Sequence, residues 1–339
     1  MSDISTNGDL VLVREEGRAG LITLDNPKVL NAVTHEMLKL VHAAYIKWAA
    51  TPRVYGVVLD AVAGRAFCSG GDIRAMAQMI KTNLAGAEQF FRDEYQHNWA
   101  LECFTKPNVA LINGIVMGGG AGLSRYGTHR VAGENFQFAM PETKIGFFTD
   151  IGGAYFLPRF PGELGMYLAL TGASIGRADA YYTGFATHCI DSSQFDLIRN
   201  AMIEGDPVDP VLDGLHQNPG QAELAKIQPV IDRIFSADSV EAILSRLDAE
   251  SGMHADWAAA TASNLRECCP LSLKVTYRAL REGRDKESLK EDLQMEFRLT
   301  SRFLRGETLA EGVRAMLIDK DNKPVWRPDD LSADRKSVV

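Results

Sequence analysis

Nowhere in this 339-residue chain do the ~18 consecutive apolar residues needed to span a bilayer occur, so no membrane segment is expected. Its five cysteines, Cys68, Cys103, Cys189, Cys268 and Cys269, form no CxxC pair. Their odd number predicts reduced thiols, and neither a disulfide framework nor a structural zinc. There is no HExxH pair, the nearest approach being "HEMLK" from His35, so no metal is expected. The absence of any GK dipeptide or GxGxxG run excludes a P-loop and a nicotinamide dinucleotide site. No block of Lys and Arg is long enough to neutralise a row of phosphates, and the net charge is −8 with a pI near 5.5. Nucleic acid is therefore excluded as a partner, and an anionic small substrate has to be attracted locally. The opening "MSDISTNGDL" has neither the basic nor the apolar region of a secretory leader. A cytoplasmic protein is the expectation.

What is present is ordinary globular composition, 46% apolar and 24% charged with 30 glycines, in a chain long enough for one large domain with an appendage, or for two domains. Residues 10 to 24, "LVLVREEGRAGLITL", read as a hairpin around a polar turn. The following "THEMLKLVHAAYIKWAATP" places Met37, Leu38, Val41, Ala44, Tyr45 and Trp48 at helical spacing, with Thr34 as N-cap and Pro52 as the stop. Three later stretches repeat one plan, an apolar β-like run ending in a small-residue turn: "VYGVVLDAVAGRAFCSGGD", "NVALINGIVMGGGAGL" and "HRVAGENFQFAMPETKIG". That pattern favours an α/β fold, with connections too irregular for a Rossmann series. After about residue 205 the chain turns to amphipathic helices, from Gln221 to Ile318, followed by a polar tail after Trp326. Two regions follow from this reading, 1–205 carrying the site and a helical 206–339.

Four motifs carry chemistry. "GRAFCSGGD" puts Gly70 and Gly71 before a helix, either as a tight turn capped by Asp72 or as a loop offering N–H groups near Ser69 to a developing negative charge. "INGIVMGGGAGL" is more specific, because three consecutive glycines leave no side chain between backbone and ligand, as an oxyanion hole requires. Close helix packing is the competing use. "GASIG" at 172–176 matches the GxSxG of serine hydrolases, but the preceding "PGELGMYLALTG" is helical and Gly172 is its expected C-cap, so Ser174 is set aside as a nucleophile. Finally, "FAMPETKIGFFTDIGG" holds Glu142 and Asp150 in an apolar run. Burial would raise a carboxyl's pKa there, which suits an acid, base or nucleophile, whereas capping or ion pairing is the structural alternative.

From about Leu10 to Trp326 the chain resembles the enoyl-CoA hydratase/isomerase (crotonase) superfamily. "AFCSGGDIRAM", "LINGIVMGGGAGL" and "FAMPETKIGFFTDIGGAYFLPR" match its three signature blocks in order, and "EGVRAMLIDKDNKPVW" resembles its C-terminal end. The resemblance implies a crotonase-like spiral of repeated ββα units with a helical C-terminal region, an acyl-CoA substrate, and assembly as a homotrimer or dimer of trimers. It implies no cofactor, CoA being part of the substrate. By position, the two N–H groups that hold the thioester oxygen fall at Ser69 and Gly119. Hydratases of this superfamily carry a second glutamate where this chain has Gly122, and a glycine where it has Asp150.

Glu142 with Asp150, together with "FFRDEY" around Glu94 and "PLSLKVT" at 270–276, resembles the subgroup that hydrolyses 3-hydroxyisobutyryl-CoA in valine breakdown. On that resemblance Glu142 serves the thioester carbonyl, Asp150 the substrate's 3-hydroxyl, and Glu94 is a supporting polar contact. An enoyl-CoA hydratase or isomerase, and a non-catalytic acyl-CoA binder, are the alternatives. Lys28 in "NPKVLNAV" is a candidate contact for the CoA phosphates.

Overall fold

The computed structural model describes residues 10 to 331; the residues before Leu10 and the end of the polar tail lie outside them. The chain's contacts gather into two compact units of interleaved segments. The first comprises residues up to Asp72, Asp93–Phe138 and Ile175–Glu223, and the second Ile73–Arg92, Ala139–Ser174 and the chain from Leu224 onward. This differs from a single break near 205, because residues 139–174 group with the C-terminal helices.

The first unit is built on strands. β1 (Val11–Glu16) and β2 (Ala19–Leu24) form the expected hairpin, turning at Gly17, which takes φ 52°. They are followed by β3 (Gly56–Ala61), β4 (Ala66–Cys68), β5 (Asn108–Ile112), β6 (Ile115–Met117), β7 (His129–Ala132), β8 (Gln137–Ala139), β9 (Ile175–Gly176) and β10 (His188–Cys189). The wide sheet has the order β1-β2-β3-β5-β7-β10 and the narrow one β4-β6-β8-β9. Each repeated stretch of the sequence thus sends its first strand to the wide sheet and its second to the narrow one, as β3 and β4, β5 and β6, β7 and β8. That is the ββα repeat of the expected spiral.

Strand alternation explains the core. Leu21 pairs with Val58, Val58 with Val109, and Leu111 with Val131, so these side chains share one face of the wide sheet. They bury against Phe195, Ile198 and Met202 of the helix Phe195–Glu204. On the helix His35–Ala49, the Thr34 hydroxyl accepts from the Met37 amide at 3.2 Å, the N-cap read from sequence. This helix brings Trp48, fully buried, onto Gly20 of β2, where an added Cβ would lie 2.5 Å from the indole ring.

The second unit is helical, from Glu223–Phe235 to Thr308–Val313, and includes the segment holding Glu142 and Asp150. The helix Leu164–Thr171 ends at Gly172 with φ 62°. Ser174 is exposed and precedes β9 instead of following a strand, so no nucleophile elbow forms. Near the C-terminus Arg314 binds Glu311, Asp319 and Asp321, and the Trp326 indole donates to the Glu267 carbonyl at 3.3 Å. Among the described residues no helix is long and apolar enough to cross a membrane.

Because the Trp48 ring is walled in, Gly20→Ala is expected to cost about 1–3 kcal/mol by overpacking. Urea unfolding checks this, as a lower midpoint with an unchanged slope.

Candidate active site

The first group of site residues belongs to the first unit. β4 runs into Ser69, Gly70 and Gly71, with Gly70 at φ 102°, a conformation that favours glycine. The segment is stitched to residues 30–33: the Ser69 amide donates to the Leu30 carbonyl at 3.0 Å, the Val33 amide to the Gly70 carbonyl at 2.8 Å, and the Asp72 amide to the Val33 carbonyl at 3.0 Å. Val33 and Gly71 form a parallel bridge that uses the groups flanking Gly71, which turns the Gly71 N–H to the opposite side.

β6 lies parallel to β4 and leads into Gly118, at φ 45°, which opens the short helix Gly119–Ser124. Both Ala121 and Gly122 donate to the Gly118 carbonyl, at 2.8 and 3.2 Å, while the Gly119 amide precedes the helix's own bonding ladder. A Cβ on Gly119 would lie 3.3 Å from the Gly71 nitrogen and 2.5 Å from Glu94 Oε1, and one on Gly70 would lie 3.5 Å from the Gly119 nitrogen. Two backbone amides and the buried Glu94 carboxylate therefore converge where only glycine fits. The donor expected at Ser69 needs correction, since its N–H is spent on Leu30; Gly71 supplies the amide that faces Gly119.

The second group belongs to the second unit. Glu142 begins a 3₁₀ turn, Glu142–Ile145, that is fixed on both sides. The Thr143 hydroxyl donates to the Leu170 carbonyl at 3.1 Å and the Cys269 amide to the Thr143 carbonyl at 3.0 Å. A Cβ on Gly172 would stand 3.0 Å from Pro141 Cα. Between the two acids, Phe147 and Phe148 stack with each other and with Phe303, and Phe147 also with Phe91, at ring separations of 4.8 to 5.5 Å.

In this setting Glu142 is 6% exposed and Asp150 5% exposed, and Glu142 Oε2 has no hydrogen-bond partner. Burial, reinforced by the charge of Asp150, pushes the Glu142 carboxyl well above the usual carboxylate range. The turn has no side-chain cap hydrogen bond, and Oε2 is left out of any pairing.

Lys28 is exposed on the turn Pro27–Val29. His35, from the failed metal motif, lies 2.6 Å from Asp93, and no metal-holding group of His, Cys, Asp and Glu occurs among the described residues. All five cysteines are free, and burial pushes the Cys68 thiol up to about 12.

Two residues escape a reading of the sequence. One is Gly71, hidden by its neighbour. The other is Glu296, fully buried, whose Oε2 accepts from the Gly152 amide at 2.7 Å and Oε1 from Ala154 at 3.2 Å, just after Asp150. Its only sequence signal is an acid on the apolar face of an amphipathic helix.

The family pattern described as Enoyl-CoA hydratase/isomerase matches residues 19–339. The chain is 44% identical to the 3-hydroxyisobutyryl-CoA hydrolase, mitochondrial, of Xenopus tropicalis, over 94% of this chain and 84% of that one. It is 40% identical to the human protein of the same name, over 98% and 87%. Among solved structures it is similar to a carnitinyl-CoA dehydratase from Mycobacterium thermoresistibile, with TM-score 0.92 and 36% identity over 98% of this chain and 95% of that one. An enoyl-CoA hydratase from Rhodobacter sphaeroides gives 0.91 and 37% over 97% and 96%.

A carboxyl held protonated by burial favours folding at low pH, and that advantage is lost as pH rises from the ordinary glutamate value through the raised native one. Glu142→Gln is therefore expected to raise the melting temperature at about pH 8 and to leave it unchanged at about pH 4, as read by calorimetry.

Proposed function

Because the chain belongs to the enoyl-CoA hydratase/isomerase family, we propose that it is an acyl-CoA thioester hydrolase acting on 3-hydroxyisobutyryl-CoA, the step of valine catabolism its relatives' name describes. The observation that carries this reading is the buried Glu142 carboxyl with one oxygen free of any donor. The near full-length similarity to hydrolases of that substrate supports it.

In this reading the Gly71 and Gly119 amides receive the thioester oxygen as it gains charge, each donor contributing about 2.7–4 kcal/mol in sites of this kind. Glu142 is assigned to the carbonyl carbon. As general base, in its ionised form, it takes a proton from water, whose oxygen bonds to the carbonyl carbon. The C–S bond then breaks, and the proton passes to the departing CoA sulfur. A pKa raised by burial makes the protonated form a ready donor to the departing sulfur. In the alternative route Glu142 itself attacks, giving a mixed anhydride that water opens. Asp150 is assigned to the substrate's 3-hydroxyl, and Glu94 to a polar contact beside Gly119.

The names of the two similar structures favour a second reading, hydration of an enoyl-CoA. Against it stands Gly122, which offers no side chain where hydratases carry their second glutamate. A silent acyl-CoA binder is the third reading, and it requires activity to survive loss of Glu142. The five free thiols support a reducing compartment, cytoplasmic in the reading taken here, although the relatives' names carry the word mitochondrial. Assembly as a homotrimer or dimer of trimers belongs to the same reading and is checked by light scattering.

Thiol release from 3-hydroxyisobutyryl-CoA tests the proposal. Glu142→Gln is expected to lower kcat by about 10²–10⁴-fold, and loss of enoyl-CoA absorbance without free thiol would overturn the hydrolase reading. In heavy-oxygen water, a single turnover that leaves no label in the Glu142 carboxylate excludes the anhydride. Gly119→Ala, whose Cβ would crowd Glu94 and the Gly71 amide, is expected to lower kcat by about 10²-fold or more while the melting temperature stays near that of the parent.

A further inference from the structure

The turn that carries Asp150 is conformationally costly. Ile151, a β-branched residue, takes φ 56°, and Gly152 follows at φ 77°. A branched side chain is strained in the left-handed region and persists only where its surroundings impose it. Within the turn one bond is local, from the Gly153 amide to the Asp150 carbonyl at 2.9 Å. A further restraint comes from the helix Leu289–Phe303, where both oxygens of Glu296 are occupied, one by the Gly152 amide and the other by Ala154.

One helical turn earlier lies Asp292, also fully buried, and neither of its oxygens finds a donor. The Tyr155 amide faces it but donates to the Gly152 carbonyl. Arg159, in electrostatic reach together with Lys286, directs its N–H groups to the carbonyls of Tyr155, Gly283 and Lys286. The helix Pro270–Arg284 closes the space, since a Cβ on Gly283 would meet the Ala154 oxygen at 2.0 Å and Asp292 Oδ1 at 3.1 Å. The polar neighbour left to Asp292 is the Glu296 carboxyl itself. Two buried carboxyls in contact cannot both be ionised, and one proton between them turns repulsion into an O–H···O bond. Because both Glu296 oxygens already accept amides, Asp292 is the member of the pair positioned to donate the shared proton.

We propose that Asp292 and Glu296 form a proton-sharing clamp whose work is to hold the Ile151–Gly152 turn, and that Glu296 is thereby a positioning residue for Asp150. The clamp rests on the hydrolase reading, with Asp150 at the 3-hydroxyl. It does not touch the thioester carbonyl. Loosening it therefore costs recognition of the hydroxyl far more than it costs thioester cleavage. Burial raises the pKa of both carboxyls, reinforced at Glu296 by the charges of Asp292 and Asp150, so the pair as a whole retains a proton.

The experiment compares kcat/KM for 3-hydroxyisobutyryl-CoA with that for isobutyryl-CoA, which lacks the hydroxyl. Gln at 296 keeps the shape but can accept only one of the two amides. Glu296→Gln is expected to lower the ratio of the two values by about 10-fold or more, as a misplaced contact does, and adding Asp150→Asn should lower it no further. Equal losses on both substrates would show a merely structural role and overturn the proposal. Asn at 292 can donate the bond that the shared proton supplies, whereas Leu cannot. Asp292→Asn should keep the ratio and Asp292→Leu should lose it, a comparison that decides the matter even where Glu296→Gln does not fold. Equal ratios in those two variants would also overturn it. Wild-type protein that releases no thiol from either substrate would instead defeat the hydrolase reading, and the clamp with it.

Discussion

A carboxylate out of water must be paired, hydrogen-bonded or protonated, and the second unit of this protein is organised around that constraint. Glu142 is buried with an oxygen that nothing satisfies, beside the charge of Asp150. Leaving a charged group in that condition costs several kcal/mol in a fold with little to spare. The neighbourhood is consequently rigid: Thr143 is tied to Leu170 and Cys269, Pro141 is pressed against Gly172, and the phenylalanines at 147 and 148 are packed on Phe303. Were the turn able to swing outward, Glu142 would find water and lose its raised pKa.

The first unit solves the opposite problem, presenting backbone donors with no side chain in the way. Its solution is close packing of glycine. Gly70, Gly119 and Gly120 each sit where a methyl group would collide with backbone or with Glu94, and the two sheets fix the strands that deliver them. The buried acids belong to the second unit and the glycine amides to the first. The same donors serve many reactions across a family, while the acids decide which one occurs.

Features whose cause lies within a few residues were legible from the sequence. The hairpin at Gly17, the Thr34 cap, the Gly172 stop and the rejection of Ser174 all rest on local spacing. The three repeated stretches exposed an α/β fold because each repeat is a self-contained pair of strands and a turn, while the spiral was implied by the family resemblance. Features decided by distant partners were not legible. Whether Ser69 or Gly71 offers its amide depends on which of them Leu30 and Val33 engage, from the other end of a long connection. Glu296 meets Gly152 across 144 residues of sequence. Residues 139–174 group with the C-terminal helices for the same reason, through contacts that composition along the chain does not display.

The buried acids also bear on how a catalytic cycle ends. A thioester enters uncharged at its acyl carbon, but hydrolysis converts that carbon into a carboxylate. On the assignment proposed above, the new anion would then stand beside the charge of Asp150. Like charges at such range in a poorly solvated site repel by kcal/mol amounts. The arrangement that favours the neutral substrate therefore disfavours its product, and the site empties itself once the bond is cut.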